Sequence, residues 1–272
     1  MFFMYDAKRC LPVDGSVPNW DEHKRLVEEF SLPAILGTED GFFAGKVRAK
    51  PEDRVVIITH GGPGSGKTFY LESLDLHRME HLVYVPYDEG VQVEGATPQL
   101  SRYVLSRVLE RAVREGYSLV LDTHGAGANI PSLLDNLKDH GYRLDVRSLF
   151  APCHVARERS PLLREQDFLE ARKSAEQAFP RLCARADYFE ALYNPQDGQA
   201  PRLYIRRDRG WFDLKNSTLL DEVRADVMTE RQGSSPTADL LAYVQQRQET
   251  PSVPNDDPHT RSWVAQLVQR CG

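Results

Sequence analysis

The run Gly61-Gly62-Pro63-Gly64-Ser65-Gly66-Lys67-Thr68 follows a β-branched apolar stretch, Arg54-Val55-Val56-Ile57-Ile58-Thr59-His60. Its spacing is G-x-x-x-x-G-K-[ST] after a buried strand, a pattern suited to holding phosphates. Glycines let backbone N–H groups turn inward around an anion, with no β-carbon in the way. Lys67 adds a point charge near the β- and γ-phosphates, and Thr68 offers a hydroxyl to Mg²⁺. A helix opening at Thr68 would present its N-terminal dipole to the same phosphates. From average residue frequencies the bare pattern arises by accident in roughly 1% of chains of this length. The strand in front makes accident rarer still. The eight residues Gly61 to Thr68 are therefore expected to bind ATP or GTP with Mg²⁺.

Two carboxylates and a set of arginines are candidates for the remaining chemistry. Asp88 follows a second apolar strand, His81-Leu82-Val83-Tyr84-Val85, where it could accept the proton of a substrate hydroxyl. Asp122 closes a third, Ser118-Leu119-Val120-Leu121, the place from which a carboxylate holds Mg²⁺ or its water. Each could instead be a turn or loop-capping aspartate. Arg157, Arg159, Arg164 and Arg172 lie on a charged helical stretch from His154 to Arg185. Some of them could neutralise the charge that spreads on a transferred phosphoryl group. Their bland alternative is a solvated face paired with Glu158, Glu165, Glu170 and Glu176. His60, His124 and His154, near strand ends, read as packing or loop residues, and Tyr84, Tyr87 and Trp211 as core or rim.

Strands alternate with helices through this region. Helices are expected from Thr68 to about Leu76, from Thr97-Pro98 to Arg114, and from Pro131 to His140. A fourth strand runs from Tyr142 to Phe150. Such alternation predicts an α/β fold, a P-loop NTPase-type parallel sheet flanked by helices, with ligands at the carboxyl ends of the strands. Arg202 to Arg206 reads as a last strand, with Trp211 to Leu214 paired to it across Asp208-Arg209-Gly210. A helix over Asp21 to Phe30 precedes the core, and Gly37 to Pro51 reads as connector. After Ser217 come amphipathic helices broken at Ser234-Ser235-Pro236 and Thr250-Pro251, the last over Thr260 to Arg270. The expected organisation is an N-terminal helical extension (1–50), a P-loop core with an arginine lid (51–215) and a C-terminal helical extension (216–272).

The net charge of −6 over 272 residues argues against general electrostatic binding of long nucleic acid. Cys10, Cys153, Cys183 and Cys271 lie far apart with no C-x-x-C pair, so reduced thiols in a cytoplasm are expected. Met1 to Tyr5 is apolar but meets Asp6, Lys8 and Arg9 at once, too short for a signal or a membrane span.

The loop, Asp88 placed 21 residues after Lys67, the strand-end Asp122-Thr123, the run Leu133 to Tyr142 and the arginines after Ala151-Pro152 together resemble the zeta-toxin-like kinases. The resemblance covers about residues 54 to 190. It implies transfer of a nucleotide γ-phosphate to a hydroxyl of a small nucleotide-containing acceptor, in that family typically UDP-N-acetylglucosamine. It also implies Lys67 and Thr68 on phosphates and Mg²⁺, Asp88 as the base, and Arg159 and Arg172, 13 residues apart, as lid arginines. An antitoxin or immunity protein enters as a candidate partner. The chain departs from the family at Val85-Pro86-Tyr87-Asp88-Glu89, where an Asp-x-Asp cluster is usual, and at Asp122-Thr123-His124-Gly125. Two rivals remain open: a polynucleotide or nucleoside kinase, and a nucleotide-hydrolysing switch. The absence of an N-K-x-D signature counts against the second.

Overall fold

The computed structural model describes residues 39–86, 98–123, 130–195, 201–208, 211–230 and 236–249. In chain order these form β1 (Val55–His60), α1 (Lys67–Ser73), β2 (Leu82–Pro86), α2 (Pro98–Glu115), β3 (Ser118–Asp122), α3 (Ile130–Asp139) and β4 (Arg143–Phe150). Then follow α4 (Cys153–Glu158), α5 (Glu165–Arg185), β5 (Tyr188–Tyr193), β6 (Arg202–Asp208), β7 (Trp211–Leu214), α6 (Ser217–Glu230) and α7 (Pro236–Glu249). The strands make a mixed, mostly parallel sheet flanked by helices, the expected α/β class. The helices expected over 21–30 and 260–270, and Asp88, lie outside the described residues. No described helix is long and apolar enough to cross a membrane.

The chain divides into two units. The first, Met1–Arg54 with Leu76–Leu121, is organised by α2. Its stripe of Val104, Leu105, Val108, Leu109 and Ala112 is buried, at the helical spacing that puts those residues on one face. Part of the stretch expected as connector, residues 39–43, is helical. Glu39 is buried there because Arg107 meets it at 2.8 Å, and Arg111 lies over the ring of Phe43. Gly116 takes a left-handed turn (φ 80°) that ends α2 and leads into β3.

The second unit, Val55–Asp75 with Asp122–Gly272, contains β1, β4, β5, β6 and β7 side by side in that order. β1, β4 and β5 are parallel, whereas β6 and β7 return antiparallel as the hairpin expected across Asp208 to Gly210. Adjacent residues of β4 point to opposite faces. Leu149 packs with Leu192 and Leu203 against Tyr70 of α1. Ser148, on the other face, bonds His60 under α5. The charged stretch read as helix is two helices, parted around Ser160-Pro161. In α5 the residues Phe168, Arg172, Ala175, Phe179 and Leu182 are buried, a 3–4 spacing with one cation in it. Strand β5 was not anticipated. It carries Glu190 mid-strand, and its register explains the tolerance: Arg147 on β4 and Arg206 on β6 flank Glu190 and both pair with it. Cys153 and Cys183 are free thiols, and burial pushes the Cys183 thiol up to about 11, which makes it unreactive near neutral pH.

Pro180 sits inside α5 and is buried there. A proline has no N–H for the carbonyl four residues earlier, here that of Glu176. Thr237, in the first turn of α7, donates its hydroxyl to that carbonyl at 2.8 Å. One turn position earlier, the Ala175 carbonyl accepts from Nε2 of His60 at 2.9 Å. The interruption in the helix is thus used to tie α5 to α7, beside the bond that ties α5 to the end of β1. Thr237→Val should therefore destabilise the protein by about 1–3 kcal/mol in urea titrations, the cost of a buried acceptor losing its donor. In a Pro180→Ala background, where residue 180 regains its N–H, the same substitution should cost at least about 1 kcal/mol less. Equal costs in both backgrounds would show that Thr237 does not stand in for the missing donor.

Candidate functional site

β1 delivers the chain to the carboxyl edge of the sheet, where His60 ends the strand and the glycine loop begins. His60 is fully engaged in packing, with Nδ1 on the Ser148 hydroxyl at 2.8 Å and Nε2 on the Ala175 carbonyl. Since a carbonyl only accepts, Nε2 carries hydrogen and Nδ1 is left to accept from Ser148. Gly64 (φ 69°) and Gly66 (φ 92°) are left-handed, and Lys67 opens α1 immediately afterwards. Both glycines are also hemmed in. A β-carbon on Gly64 would overlap the Ala156 carbonyl of α4, and one on Gly66 would overlap the carboxamide nitrogen of Asn194, just beyond β5. On Gly62 it would lie 3.1 Å from Cγ of Arg172. The loop is wedged among α4, α5 and the end of β5.

Several polar groups are gathered in this wedge. Lys67 Nζ donates to the Gly61 carbonyl at 2.9 Å, so its charge spans the loop. The Ser65 hydroxyl is buried with no hydrogen-bond partner. It faces a cavity of about 30 Å³ lined also by Ser148, Arg172, Glu176 and Thr237, room for one water. Thr68 is exposed in the first turn of α1. Asp122 is buried at the end of β3 and accepts from the Thr59 hydroxyl at 2.7 Å, while the Thr123 N–H donates to the Thr59 carbonyl. Among the described residues no group of three or more His, Cys, Asp or Glu could hold a metal alone. A Mg²⁺ ion held by Thr68 and Asp122 would take its other ligands from phosphates and water, as that ion commonly does.

The four candidate arginines separate into two pairs. Arg159, at the carboxyl end of α4, reaches the loop: its Nη1 lies 3.3 Å from the Gly64 carbonyl and 3.4 Å from that of Asn194. Arg172 is buried over Gly62, its guanidinium near the rings of Phe150 and Phe168, with Nη2 donating to the Ala151 carbonyl at 3.0 Å. Arg157 instead holds the turn between α4 and α5 through the Ser160 and Leu163 carbonyls and pairs with Glu165. Arg164 is exposed and pairs with Asp167. The bland reading applies to these two. Of the remaining expectations, His154 is exposed, Asp88 and His124 lie outside the described residues, and Asn194 was missed. Its available signal was Asn194-Pro195, a turn dipeptide, at the end of the strand that was itself missed.

No protein-family model matches the chain, and no curated protein matches it. Among solved structures it is similar to the AvrRxo1-ORF1:-ORF2 complex determined with ATP, at 11% identity and a TM-score of 0.53, covering 88% of this chain and 85% of that one. A structure from the PezAT chromosomal toxin-antitoxin system of Streptococcus pneumoniae aligns at 13% identity and a TM-score of 0.49, over 81% of this chain and 97% of that one. At such identities the likeness is one of fold. By fold the chain is an α/β protein with a mostly parallel sheet flanked by helices, the class expected from its sequence.

Proposed function

We propose that this protein is a Mg²⁺-dependent phosphotransferase that moves the γ-phosphate of ATP or GTP to a hydroxyl of a small, nucleotide-containing acceptor. The observation that supports this reading is the meeting of the glycine loop and an arginine within one unit: Arg159 Nη1 lies 3.3 Å from the Gly64 carbonyl. Bound Mg·ATP would supply the phosphoryl group and a metal that spreads its charge. The chain's own residues do the positioning. Backbone amides from Gly61 to Lys67 and the α1 N-terminus hold the phosphates, and Lys67 neutralises them. Thr68 and Asp122 would hold the metal. Arg159 and Arg172 stabilise the charge that develops on the transferred group, since a planar guanidinium meets phosphate oxygens bidentately. Asp88 accepts the acceptor's proton as the new bond forms. UDP-N-acetylglucosamine is the acceptor that the family resemblance favours. The AvrRxo1 structure contains two proteins, and a second protein of antitoxin or immunity type is proposed as the partner here.

The reading is tested by incubating the protein with γ-labelled ATP and a panel of UDP-sugars, dinucleotides, nucleosides and oligonucleotides. A labelled UDP-sugar is the expected outcome, and ATP hydrolysis with no labelled acceptor would favour a switch instead. Lys67→Ala should abolish transfer and weaken Mg·ATP binding in calorimetry; equal binding would remove the loop from the site. Asp88→Asn keeps size and most hydrogen bonding but takes no proton, so transfer should fall about 10²–10⁴-fold with ATP affinity nearly unchanged. Retained transfer would pass the base role to another group. Arg159→Ala should lower kcat by about 10²-fold with little change in melting temperature. Arg172→Ala should lower kcat similarly and also lower the melting temperature, because its guanidinium is packed under two rings. If Arg172→Ala alters stability alone, Arg172 is part of the core and not of the lid.

A further inference from the structure

We infer that Asn194 is a positioning residue of the phosphate loop, one that sets the direction of the Gly66 N–H; this rests on the phosphotransferase reading of the same loop. Asn194 lies just past β5 and is buried. Its backbone continues the parallel ladder, with its N–H on the Phe150 carbonyl at 2.7 Å, so the residue is fixed to the sheet. Its carboxamide Nδ2 donates to the Ser65 carbonyl at 3.1 Å. In a trans peptide the C=O and the following N–H point in opposite directions. Drawing the Ser65 carbonyl toward β5 therefore turns the Gly66 N–H away from it, into the cradle, where a phosphate oxygen would accept it. No β-carbon separates the two, because Gly66 leaves the carboxamide in direct contact with the loop.

A second contact joins this device to the lid. The Asn194 carbonyl and the Gly64 carbonyl both lie within reach of Arg159 Nη1. Asn194 thus links the sheet, the loop peptide that carries the Gly66 donor, and the arginine that would meet the transferred group. An aspartate in its place would keep the size but offer no donor. Its carboxylate would face the Ser65 carbonyl, and the peptide would be free to turn its N–H out of the cradle.

The test uses the full chain. Mg·ATP affinity is measured for wild type, Asn194→Asp, Asn194→Ala and Lys67→Ala, and the Gly66 amide resonance is followed in ¹⁵N-labelled protein. Loss of one charge-assisted donor corresponds to roughly 10- to 100-fold in Kd. Asn194→Asp should show a loss of that size, with Asn194→Ala at its lower end. The Gly66 amide should shift strongly on adding Mg·ATP to wild type and only weakly in both variants, a signature that a merely structural role would not remove. Wild-type affinity and a wild-type Gly66 shift in the folded Asn194 variants, with Lys67→Ala impaired, would overturn the inference alone. Equal binding by wild type and Lys67→Ala would instead overturn the phosphate-loop reading beneath it. If Asn194→Asp does not fold, Asn194→Ala decides by the same criteria. Unfolding of both makes Asn194 a residue of the core and overturns the inference.

Discussion

The phosphate loop is packed so tightly that no β-carbon fits at Gly64 or Gly66, and the rest of the site is arranged around that constraint. Left-handed backbone there would cost about 1–2 kcal/mol per residue with ordinary side chains, and the neighbouring Ala156 carbonyl and Asn194 carboxamide leave no space for them in any case. The course of the loop is therefore set by what packs against it. Groups held in advance need no reorganisation when charge develops, which is the condition under which oriented dipoles stabilise best. The same short helix supplies both enclosure and reach. Ala156 touches Gly64, and Arg159 follows three residues later on the same side of α4.

Arg172 meets the loop under a different constraint. It occupies a position that the 3–4 spacing of α5 assigns to the core, four residues after Phe168 and three before Ala175. A buried guanidinium is costly unless its charge is answered. Here the faces of Phe150 and Phe168 and the Ala151 carbonyl answer it. The outcome is an arginine fixed in place, beside one at the rim of the loop that lies 3.3 Å from the Gly64 carbonyl and 3.4 Å from that of Asn194.

The loop, the parallel core and the strand-end Asp122 were legible because each is local. A glycine pattern after a β-branched run, or an apolar run that closes on an aspartate, is complete within about ten residues. The two pairs of arginines were not separable, since Arg157, Arg159, Arg164 and Arg172 share one charged stretch and differ only in what faces them. The spacing of Phe168, Ala175, Phe179 and Leu182 did contain the clue that Arg172 points inward. Strand β5 was hidden for a non-local reason. Glu190 breaks its apolar pattern, and the cations that permit this, Arg147 and Arg206, come from neighbouring strands 43 and 16 residues away. Asn194 was lost with the strand that places it.

Helix α7 is joined to the loop's surroundings through a hydrogen bond whose acceptor a proline frees. In a regular α5 the Glu176 carbonyl would already be satisfied by the N–H of residue 180. Apolar contact is tolerant of sliding. A hydroxyl on a single carbonyl is not, because a displaced donor leaves a buried acceptor unmatched. Pro180 thus converts a greasy helix pair into one with a fixed register, with Thr237 as its pin. His60, bonded to the preceding carbonyl, carries that register to the residue from which the phosphate loop departs. The position of α7 and the start of the loop are in this way set against the same turn of α5.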